Sequence, residues 1–467
     1  MGPPFCLHKL VLYAIILTNT MMTYIIICLT NDKVVLYTMF RESEMKKITT
    51  ILVAVMAVFV GLTGCSKKSS GPVNVEIWHT YNGAQEQYLL TAAEKFNTSQ
   101  SKYVVKVLAQ DRTGFAESVY NAVANGIGPS IIFNYGSTAV DYAEEGLAVD
   151  ISKYIQEDVK KGDNTMQEII DSLPEAMKTD VYGFSDGGIY YLPGCTTGPV
   201  YFYNKTLFDE LGLQPPTDWD ELEDVCKTIY EEKGIIGFHA DGLVDNLQMM
   251  IMQNGLGYID VENKKVLFGQ DKLVEIYDWY ADMCKKNYFE FNTVGKYSSE
   301  DLANGTIASF SGSCVNDQYV KMLNDEELGI SPWIAASNGR SFYTAWNRGP
   351  IFLKRADDVD RGAYEFAKFF LSPEMNSGWA MTNSALSPYG TTQATASYKD
   401  YLNNLPSGSA LPSVQFNLSS SGSFPNVKGA AQVRNLLEEY LNNVVDNKMS
   451  AEEAVNALVS ECNSALN

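Results

Sequence analysis

Positive charge is scarce in this chain, which has 35 lysines and arginines against 56 aspartates and glutamates and a formal net charge of −21 at pH 7. Binding to nucleic acid or anionic lipid needs basic residues that neutralise phosphates, so the balance argues against both partners. Histidine is limited to 3 residues, and the sequence around His79 lacks the further ligands that a zinc site requires. We therefore predict no nucleic-acid partner, no metal and no other cofactor.

Cysteine is also sparse, and its spacing is uninformative. None of the cysteines beyond residue 65 has a CxxC or zinc-site spacing, and an odd number cannot pair completely into disulfides. A free cysteine usually behaves as a small buried apolar residue. We therefore expect mostly buried free thiols at Cys195, Cys226, Cys284, Cys314 and Cys462.

A possible enzyme motif is present but lacks the expected context. Gly183-Phe184-Ser185-Asp186-Gly187 fits the GxSxG pattern of a nucleophile elbow, which needs a strand before it and a helix after it. The flanking residues instead predict two strands, Val181–Phe184 and Ile189–Leu192, joined by a hairpin turn. Ser185 is then a turn residue. We predict that the chain has no catalytic residue and is not an enzyme.

A secretory signal begins well inside the chain. Met45-Lys46-Lys47 precedes an apolar run from Ile48 to Leu62, which is shorter than the ~20 residues of a membrane helix. The run ends in Leu62-Thr63-Gly64-Cys65, which resembles the lipobox of bacterial lipoproteins. This resemblance implies that Cys65 is acylated, becomes the first mature residue, and tethers an exported domain to the membrane.

This signal divides the N-terminal part of the chain into segments. Residues 45–64 are predicted to be the lipoprotein signal peptide, and the polar residues 65–72 are a linker. The preceding residues 1–44 serve no purpose ahead of an export signal. We interpret them as an extension from a wrongly assigned start codon, with a genuine membrane anchor as the alternative.

Beyond the linker, short strand patterns alternate with helical ones. Val73–Trp78 and Tyr103–Leu108 alternate as strands, and the apolar residues of Gln85–Phe96 have helical spacing. Such alternation predicts an α/β fold with a parallel sheet covered on both faces. The last helix should begin at Ser450, where a capping box is present.

One stretch after Tyr190 resembles the signature of solute-binding proteins of ABC importers, the group that includes maltose-binding protein. It contains a strand ending in Tyr203-Asn204-Lys205, followed by Pro215-Pro216-Thr217 and Trp219. Three further blocks resemble the same family in the same order: Asn304–Ala308, Ala363–Pro388 and Ser450–Ala454. The resemblance covers nearly all of the chain beyond the linker.

The resemblance implies a two-lobe periplasmic-binding-protein-like fold of type II, with the ligand in the cleft. The first lobe would comprise residues 73–182 and 345–397, and the second lobe residues 183–344 and 398–467. Such a protein would be a monomer held through Cys65 on the outer face of the cytoplasmic membrane. It would bind a small sugar-like ligand and deliver it to the membrane subunits of an ABC importer.

The cleft of such folds forms at the carboxyl ends of strands, which nominates particular residues. Trp78 and Trp346, which flank polar residues in predicted loops, would offer aromatic faces to sugar rings, while asparagine, aspartate and arginine side chains would bind hydroxyls. Trp219, Trp279 and Trp379 are predicted to be core or scaffold. The predicted ligand-binding residues are Trp78, His79, Tyr81, Asn134, Tyr135, Gly136, Thr197, Asp241, Gly312, Ser313, Trp346, Arg348 and Gly349.

Two ligand classes remain open within the family. A sugar or oligosaccharide is the prediction, and glycerol 3-phosphate or one of its diesters is the alternative. Trp78-His79-Thr80, Thr196-Thr197 and Ser311-Gly312-Ser313 resemble the glycerol-3-phosphate-binding members. That subgroup also has an arginine-containing segment near the C-terminus, whereas Ser423–Lys428 contains no arginine, and a lysine lacks bidentate geometry.

Overall fold

The computed structural model describes residues 11–18, 21–30, 33–39, 71–291, 297–415 and 420–467. They fall into two compact units, residues 1–71 and 72–467. In the first unit, three strands pair antiparallel in chain order. The predicted signal peptide 45–64 and Cys65 lie outside the described residues. Among the helices that the structure describes, none has the length and apolar character required to cross a membrane.

The described strands are short beyond the first unit, as in most α/β proteins. In chain order they are β1 Val11–Thr18, β2 Met21–Thr30, β3 Lys33–Met39, β4 Val73–His79, β5 Tyr103–Ala109, β6 Ile131–Tyr135, β7 Cys195–Thr197, β8 Pro199–Asn204, β9 Phe238–Ala240, β10 Ile259–Asp260, β11 Lys265–Val266, β12 Phe289–Phe291, β13 Ser309–Ser313, β14 Leu328–Pro332, β15 Tyr343–Thr344, β16 Trp346–Phe352 and β17 Ser421–Gly422.

The described helices alternate with these strands along much of the chain. They are α1 Gly83–Ser99, α2 Phe115–Ala124, α3 Ala139–Glu144, α4 Ser152–Lys160, α5 Thr165–Asp171, α6 Glu175–Tyr182, α7 Lys205–Leu211, α8 Trp219–Lys233, α9 Leu243–Gln253, α10 Gln270–Lys285, α11 Ser299–Ala303, α12 Asp357–Phe370, α13 Pro373–Thr382, α14 Gly390–Gln393, α15 Ala396–Asn403, α16 Leu411–Gln415, α17 Ala430–Val445 and α18 Ala451–Leu466.

Two five-stranded sheets form the second unit, and each defines one lobe. The first lobe has the strand order β5-β4-β6-β16-β7, and the second has β12-β9-β13-β8-β14. In the first sheet β4 runs parallel to β5 and β6, but β16 is antiparallel to both of its neighbours. In the second sheet β8 is antiparallel to β13 and β14. The prediction of a purely parallel sheet was therefore wrong, because the chain returns between lobes and enters each sheet in both directions.

Each lobe has apolar clusters on its sheet. Val75 and Ile77, which alternate along β4, are buried in the first-lobe core with α12 and α13. Trp219 and Trp379 are buried core residues, and Trp279 packs against the second-lobe core, which confirms their predicted structural role. The free cysteines Cys195, Cys226, Cys314 and Cys462 are buried, and Cys284 is half-buried.

Very short connections join the two sheets. Gly198 alone separates β7 from β8, and Ala345 alone separates β15 from β16. In addition, β15 pairs in parallel with β17. The predicted boundary at residue 183 assigned β7 to the second lobe, but β7 pairs with β16 in the first sheet. The reason is burial: Ile189 and Leu192 pack into the first-lobe core just before β7.

Local predictions differed in accuracy. The predicted hairpin around Ser185 was wrong, because Val181 lies in α6 and a turn follows that helix. Ser185 is in this turn, without the strand that a nucleophile elbow needs. The polar residues that Trp78 and Trp346 flank were predicted in loops, but β4 continues past Trp78 to His79, and β16 runs from Trp346 through Asn347 and Arg348. Both strands extend this far because backbone partners are available on neighbouring strands, Ala109 for His79 and Thr196 for Asn347.

Candidate functional site

A cavity of about 500 Å³ lies beside the segments that connect the lobes. Tyr135 and Gly136, at the end of β6, line it from the first lobe. Trp346 and Asn347 contribute from β16, directly after the Ala345 connection. The second lobe contributes the segment from Ser423 to Arg434, which includes the start of α17. The cavity is therefore built from both lobes and a connecting strand.

Aromatic side chains form much of the cavity wall. Tyr135, Tyr191, Trp346 and Phe424 all line it. Tyr191 is fully buried, and its hydroxyl donates a 2.5 Å hydrogen bond to the Asn347 carbonyl oxygen. Flat aromatic faces of this kind pack well against the C–H surfaces of a ring-shaped ligand.

Gly136 allows the wall at Tyr191 to approach the β6 backbone closely. A Cβ atom at Gly136 would lie 2.9 Å from the Tyr191 ring and 3.1 Å from the Asn426 side-chain oxygen. Both distances are shorter than ordinary van der Waals contact, so a larger residue would push this wall outward. The predicted site residue Gly136 thus has a steric role at the cavity.

A buried ion pair lies behind the second-lobe wall. Arg434 Nη1 donates to Asp245 Oδ1 at 3.1 Å, and the Arg434 guanidinium carbon is 3.4 Å from the centre of the Phe424 ring. Burial raises the pKa of Asp245, while Arg434 and a hydrogen bond from the Trp346 indole act in the opposite direction. The Asp245 carboxylate therefore pairs with the cavity residue Arg434.

Arg348 occupies a different position, between two tyrosines. Its guanidinium carbon is 5.3 Å from the centre of the Tyr81 ring and 5.5 Å from that of Tyr135, within the range of cation–π contacts. Its Nε is buried and has no hydrogen-bond partner among the described residues. Burial raises the pKa of Tyr81, and Arg348 partly offsets this. The structure thus brings Tyr81, Tyr135 and Arg348 together.

Trp78 and His79 lie deeper in the first lobe and are not among the cavity-lining residues. Trp78 is half-buried and packs against the apolar cluster that includes Ile132. His79 is 1% exposed, and its Nδ1 accepts a 3.1 Å hydrogen bond from the Tyr81 backbone N–H. Burial lowers the pKa of His79, so its ring is neutral at pH 7 and carries its proton on Nε2.

The predicted second-lobe residues form a separate polar cluster. Asp241 accepts hydrogen bonds from the Ser298 backbone N–H at 2.7 Å, from the Ser298 hydroxyl at 2.6 Å, and from Asn316 Nδ2 at 3.0 Å. A Cβ at Gly312 would lie 2.6 Å from this Asn316 nitrogen. Ser313 pairs with Pro199 at the start of β8. The structure thus brings Asp241 and Gly312 together, but neither they nor Ser313 line the cavity.

The remaining predicted residues belong to the β16 ladder. Thr197 pairs with Trp346, and Asn134 pairs with Gly349. A Cβ at Gly349 would lie 2.5 Å from the Gly194 backbone nitrogen and would also clash with the preceding backbone. These residues therefore set the position of the strand that carries Trp346 and Arg348.

Sequence reasoning missed several cavity residues. Asp245 and Arg434 are 189 positions apart, and no local pattern connects them. Asn347 lies between the predicted residues Trp346 and Arg348 but is buried, and Tyr191 is buried as well. The available signal was Phe424, the aromatic residue in the polar segment Ser423–Lys428. Within the described part of the chain, no group of three or more histidine, cysteine or acidic side chains is placed to hold a metal.

A second cavity of about 470 Å³ lies next to the first and shares Ser423 and Phe424 with it. At its wall, the buried Asp180 carboxylate accepts hydrogen bonds from Asn347 Nδ2 at 2.6 Å and from the Ser423 hydroxyl. Asn426 donates to the Asp180 carbonyl oxygen at 2.7 Å. Burial raises the pKa of Asp180 to about 6. Asp180 thus links α6 of the first lobe to both connecting segments.

Comparison with known proteins gives one consistent family. The family described as bacterial extracellular solute-binding protein matches residues 91–405. An sn-glycerol-3-phosphate-binding periplasmic protein of Brucella abortus is 23% identical, covering 90% of this chain and 98% of the relative. The corresponding protein of Salmonella typhimurium is 23% identical, with coverages of 88% and 96%.

Solved structures show the same architecture. The cyclic α-maltosyl-1,6-maltose-binding protein of Arthrobacter globiformis aligns with a TM-score of 0.73 and 21% identity, covering 85% of this chain and 99% of that one. The sugar-binding protein MalE of Xanthomonas citri aligns with a TM-score of 0.69 and 16% identity, with coverages of 84% and 97%. At these identities the likeness establishes the fold, which confirms the predicted two-lobe α/β architecture.

Proposed function

Because this chain belongs to the family of bacterial extracellular solute-binding proteins, we propose that it captures a sugar or small oligosaccharide and delivers it to the membrane subunits of an ABC importer. It is a binding protein rather than an enzyme, as its relatives are. The observation that carries the sugar proposal is the aromatic cavity wall formed by Tyr135, Tyr191, Trp346 and Phe424. Such faces suit the apolar sides of sugar rings, and the polar groups between them suit hydroxyls.

The proposed site has a centre and a periphery. Tyr135, Gly136 and Trp346 line the cavity, and Tyr81 and Arg348 adjoin it through Tyr135. The other residues predicted from the sequence are proposed to act when the lobes close. We include in this second group Trp78, His79, Asn134, Thr197, Asp241, Gly312, Ser313 and Gly349.

A thermal-shift panel of the purified protein tests the ligand class directly. The panel contains mono-, di- and oligosaccharides together with glycerol 3-phosphate and its diesters. A ligand that binds only the folded state raises the melting temperature, and the rise grows with the logarithm of the ligand concentration divided by its Kd. A shift with one or more sugars and none with the phosphates supports the proposal, whereas the reverse result replaces it with the alternative.

Glycerol 3-phosphate remains the second candidate ligand, for two reasons. The similar sequences described above are named for that ligand, and the buried Arg348 Nε has no partner among the described residues. Arg348→Lys separates the two classes because lysine cannot form a bidentate phosphate contact. A large loss of affinity indicates a phosphate at Arg348, while a small loss indicates hydroxyl recognition.

Ligand capture is proposed to occur by closure of the lobes. A ligand that contacts both lobes favours the closed arrangement, so its binding free energy shifts an existing equilibrium. The short connections at Gly198 and Ala345 are suitable hinges because few residues must change conformation. Small-angle scattering with the saturating ligand should show a smaller radius of gyration, and an unchanged radius contradicts closure.

We further propose that the protein is a monomer anchored on the outer face of the cytoplasmic membrane through lipid-modified Cys65. The proposal rests on the lipobox and its flanking sequence. Cys65→Ala should abolish acylation and leave the protein unprocessed or released from the membrane fraction. Mass spectrometry of the wild-type protein should find no peptide from residues 1–44, and acylation of the Cys65→Ala variant would refute the assignment.

A further inference from the structure

The cavity-lining residues include two basic side chains, and each has an acidic partner. Arg434 pairs with Asp245 at 3.1 Å, and Lys428 Nζ lies 3.6 Å from Glu144 Oε2. The Lys428 side chain is 60% exposed, so water competes strongly with its ion pair. The Asp245 side chain is only 11% exposed. The pair with Asp245 is therefore the one that sets the charge of the cavity wall.

Asp245 also fixes the geometry of that wall. Its carboxylate accepts a hydrogen bond from Arg434. Arg434 in turn lies against the face of the Phe424 ring. Two cavity residues, Arg434 on α17 and Phe424 in the segment before it, are thus held through one carboxylate on α9.

We propose that Asp245 is a positioning residue that determines specificity: by pairing with Arg434 and neutralising its charge, it makes the cavity select uncharged polyhydroxyl ligands over phosphate-bearing ones. This inference rests on the proposed function of the cavity as the ligand site. The unused N–H groups of Arg434 can still donate to hydroxyl oxygens. A phosphate placed there would also meet the negative charge of Asp245, which cancels much of its attraction to Arg434.

The test is the Asp245→Asn variant, which keeps the size of the side chain and removes the negative charge. Sulfate is the probe, because its charge does not change between about pH 4.5 and 7.5 and no natural ligand is needed. Isothermal titration at pH 7.5 should show sulfate binding at least about tenfold tighter than in the wild type, the scale of one charge-assisted hydrogen bond. Adding Arg434→Gln to this variant should remove the gain.

Asp446→Asn is the matched control. It removes one negative charge near the end of α17 and frees Lys448, its partner at 2.8 Å, on the exposed surface. This control should leave sulfate affinity unchanged. An unchanged sulfate affinity in Asp245→Asn, or an equal gain in the control, overturns the proposal. A purely structural role for Asp245 would lower stability without creating an anion site.

The wild-type protein provides a measurement that does not depend on folding of the Asp245→Asn variant. The groups that act electrostatically on Asp245 include Arg434, Tyr135 and Tyr258, and burial raises the pKa of both tyrosines, so they stay neutral during acidification. Because burial also raises the pKa of Asp245, lowering the pH shifts this carboxyl toward its neutral form while the charge of sulfate stays the same. Sulfate affinity should therefore rise as the pH falls, and this rise should be absent in Arg434→Gln.

Each outcome can be assigned to one hypothesis. A pH-independent sulfate affinity in the wild type, or an equal rise in Arg434→Gln, overturns the role of Asp245. Failure of every sugar and phosphate in the thermal-shift panel overturns the proposed ligand class instead. In the folded Asp245→Asn variant, glycerol 3-phosphate should also raise the melting temperature more than it does in the wild type.

Discussion

The two lobes have mixed sheets of five strands each, yet they present different elements to the cavity. The first lobe contributes the end of a strand, with Tyr135 and Gly136 directly after the buried part of β6. The second lobe contributes Phe424 and Arg434, from the start of α17 and the segment before it. Its own strand-end residue Asp241 is instead engaged by Ser298 and Asn316. The residues at strand ends therefore line the cavity in the first lobe, whereas in the second lobe they form a separate polar cluster.

The largest expected effect contrasts two glycines that were both predicted in the site. Gly349→Ala in the first lobe should lower the free energy of unfolding by about 3–5 kcal/mol, because its Cβ would meet the backbone of Leu192 and Gly194. Gly312→Ala in the second lobe should cost less, since its close neighbours are side chains, those of Asn316, Phe310 and Asp241, rather than backbone. Urea denaturation measures both, and equal losses would contradict this difference between backbone and side-chain neighbours.

The next effect concerns the proton on Asp180. Its pKa is 3.8 in the unfolded chain and about 6 in the folded protein, so the folded state binds this proton more tightly. The resulting stability, roughly 3 kcal/mol at most, is fully present below pH 3.8 and is lost as the pH rises through about 6. The free energy of unfolding, measured by denaturation at several pH values across this range, should depend on pH differently in the wild type and in Asp180→Asn.

Asp171→Asn is the control for this titration, because Asp171 is an exposed aspartate at the end of the neighbouring helix α5. It should keep the pH dependence of the wild type. The same slope in Asp180→Asn would show that Asp180 does not link the first lobe to the connecting segments in the way described.

A smaller effect separates the two tryptophans of the proposed site. Trp346→Ala should weaken sugar binding by about 1–3 kcal/mol, because one aromatic face of the cavity is lost. Trp78→Ala should lower the melting temperature more than Trp346→Ala does, because Trp78 packs against a first-lobe cluster. Calorimetric titration and thermal melts of both variants give the comparison. If both bind normally but melt much lower, the cavity assignment is wrong.

The smallest expected effect is at the second-lobe C-terminus. Ser450→Ala removes the hydroxyl that accepts from the Glu453 backbone N–H, while the reciprocal bond of the capping box, from the Ser450 backbone N–H to Glu453 Oε2, remains. Loss of such a cap costs about 1 kcal/mol, so the melting temperature should fall slightly. Ser460→Ala, in the middle of the same helix, is the control and should have a smaller effect.

Local sequence signals were reliable where a single side chain caps the start of a helix. The predicted capping box at Ser450 is confirmed, with the Ser450 side chain accepting from the Glu453 backbone N–H. Asn204 and Asp218 cap α7 and α8 in the same way, each accepting from the backbone N–H three residues later. These features depend on neighbouring residues, so the sequence contains the information needed.

Features that depend on distant residues were predicted less well. The mixed direction of the first sheet depends on β16. This strand follows all five strands of the second sheet in the sequence, yet it pairs in the first sheet. The buried contact of Arg434 with Asp245 joins two helices whose packing no local pattern specifies. The family resemblance supplied the two-lobe architecture, but residues such as Phe424 became visible only through their position at the cavity.

The place of β16 has a consequence for the order in which the lobes can be completed during biosynthesis. The chain emerges from its N-terminus, and the second sheet has all its strands once Pro332 is available, whereas the first sheet must wait for Phe352. Until then, the apolar strand β6 has an open edge on the side where β16 will pair. The sheet begun first is therefore finished second. Its edge needs protection from aggregation while the strands of the second sheet are being synthesised.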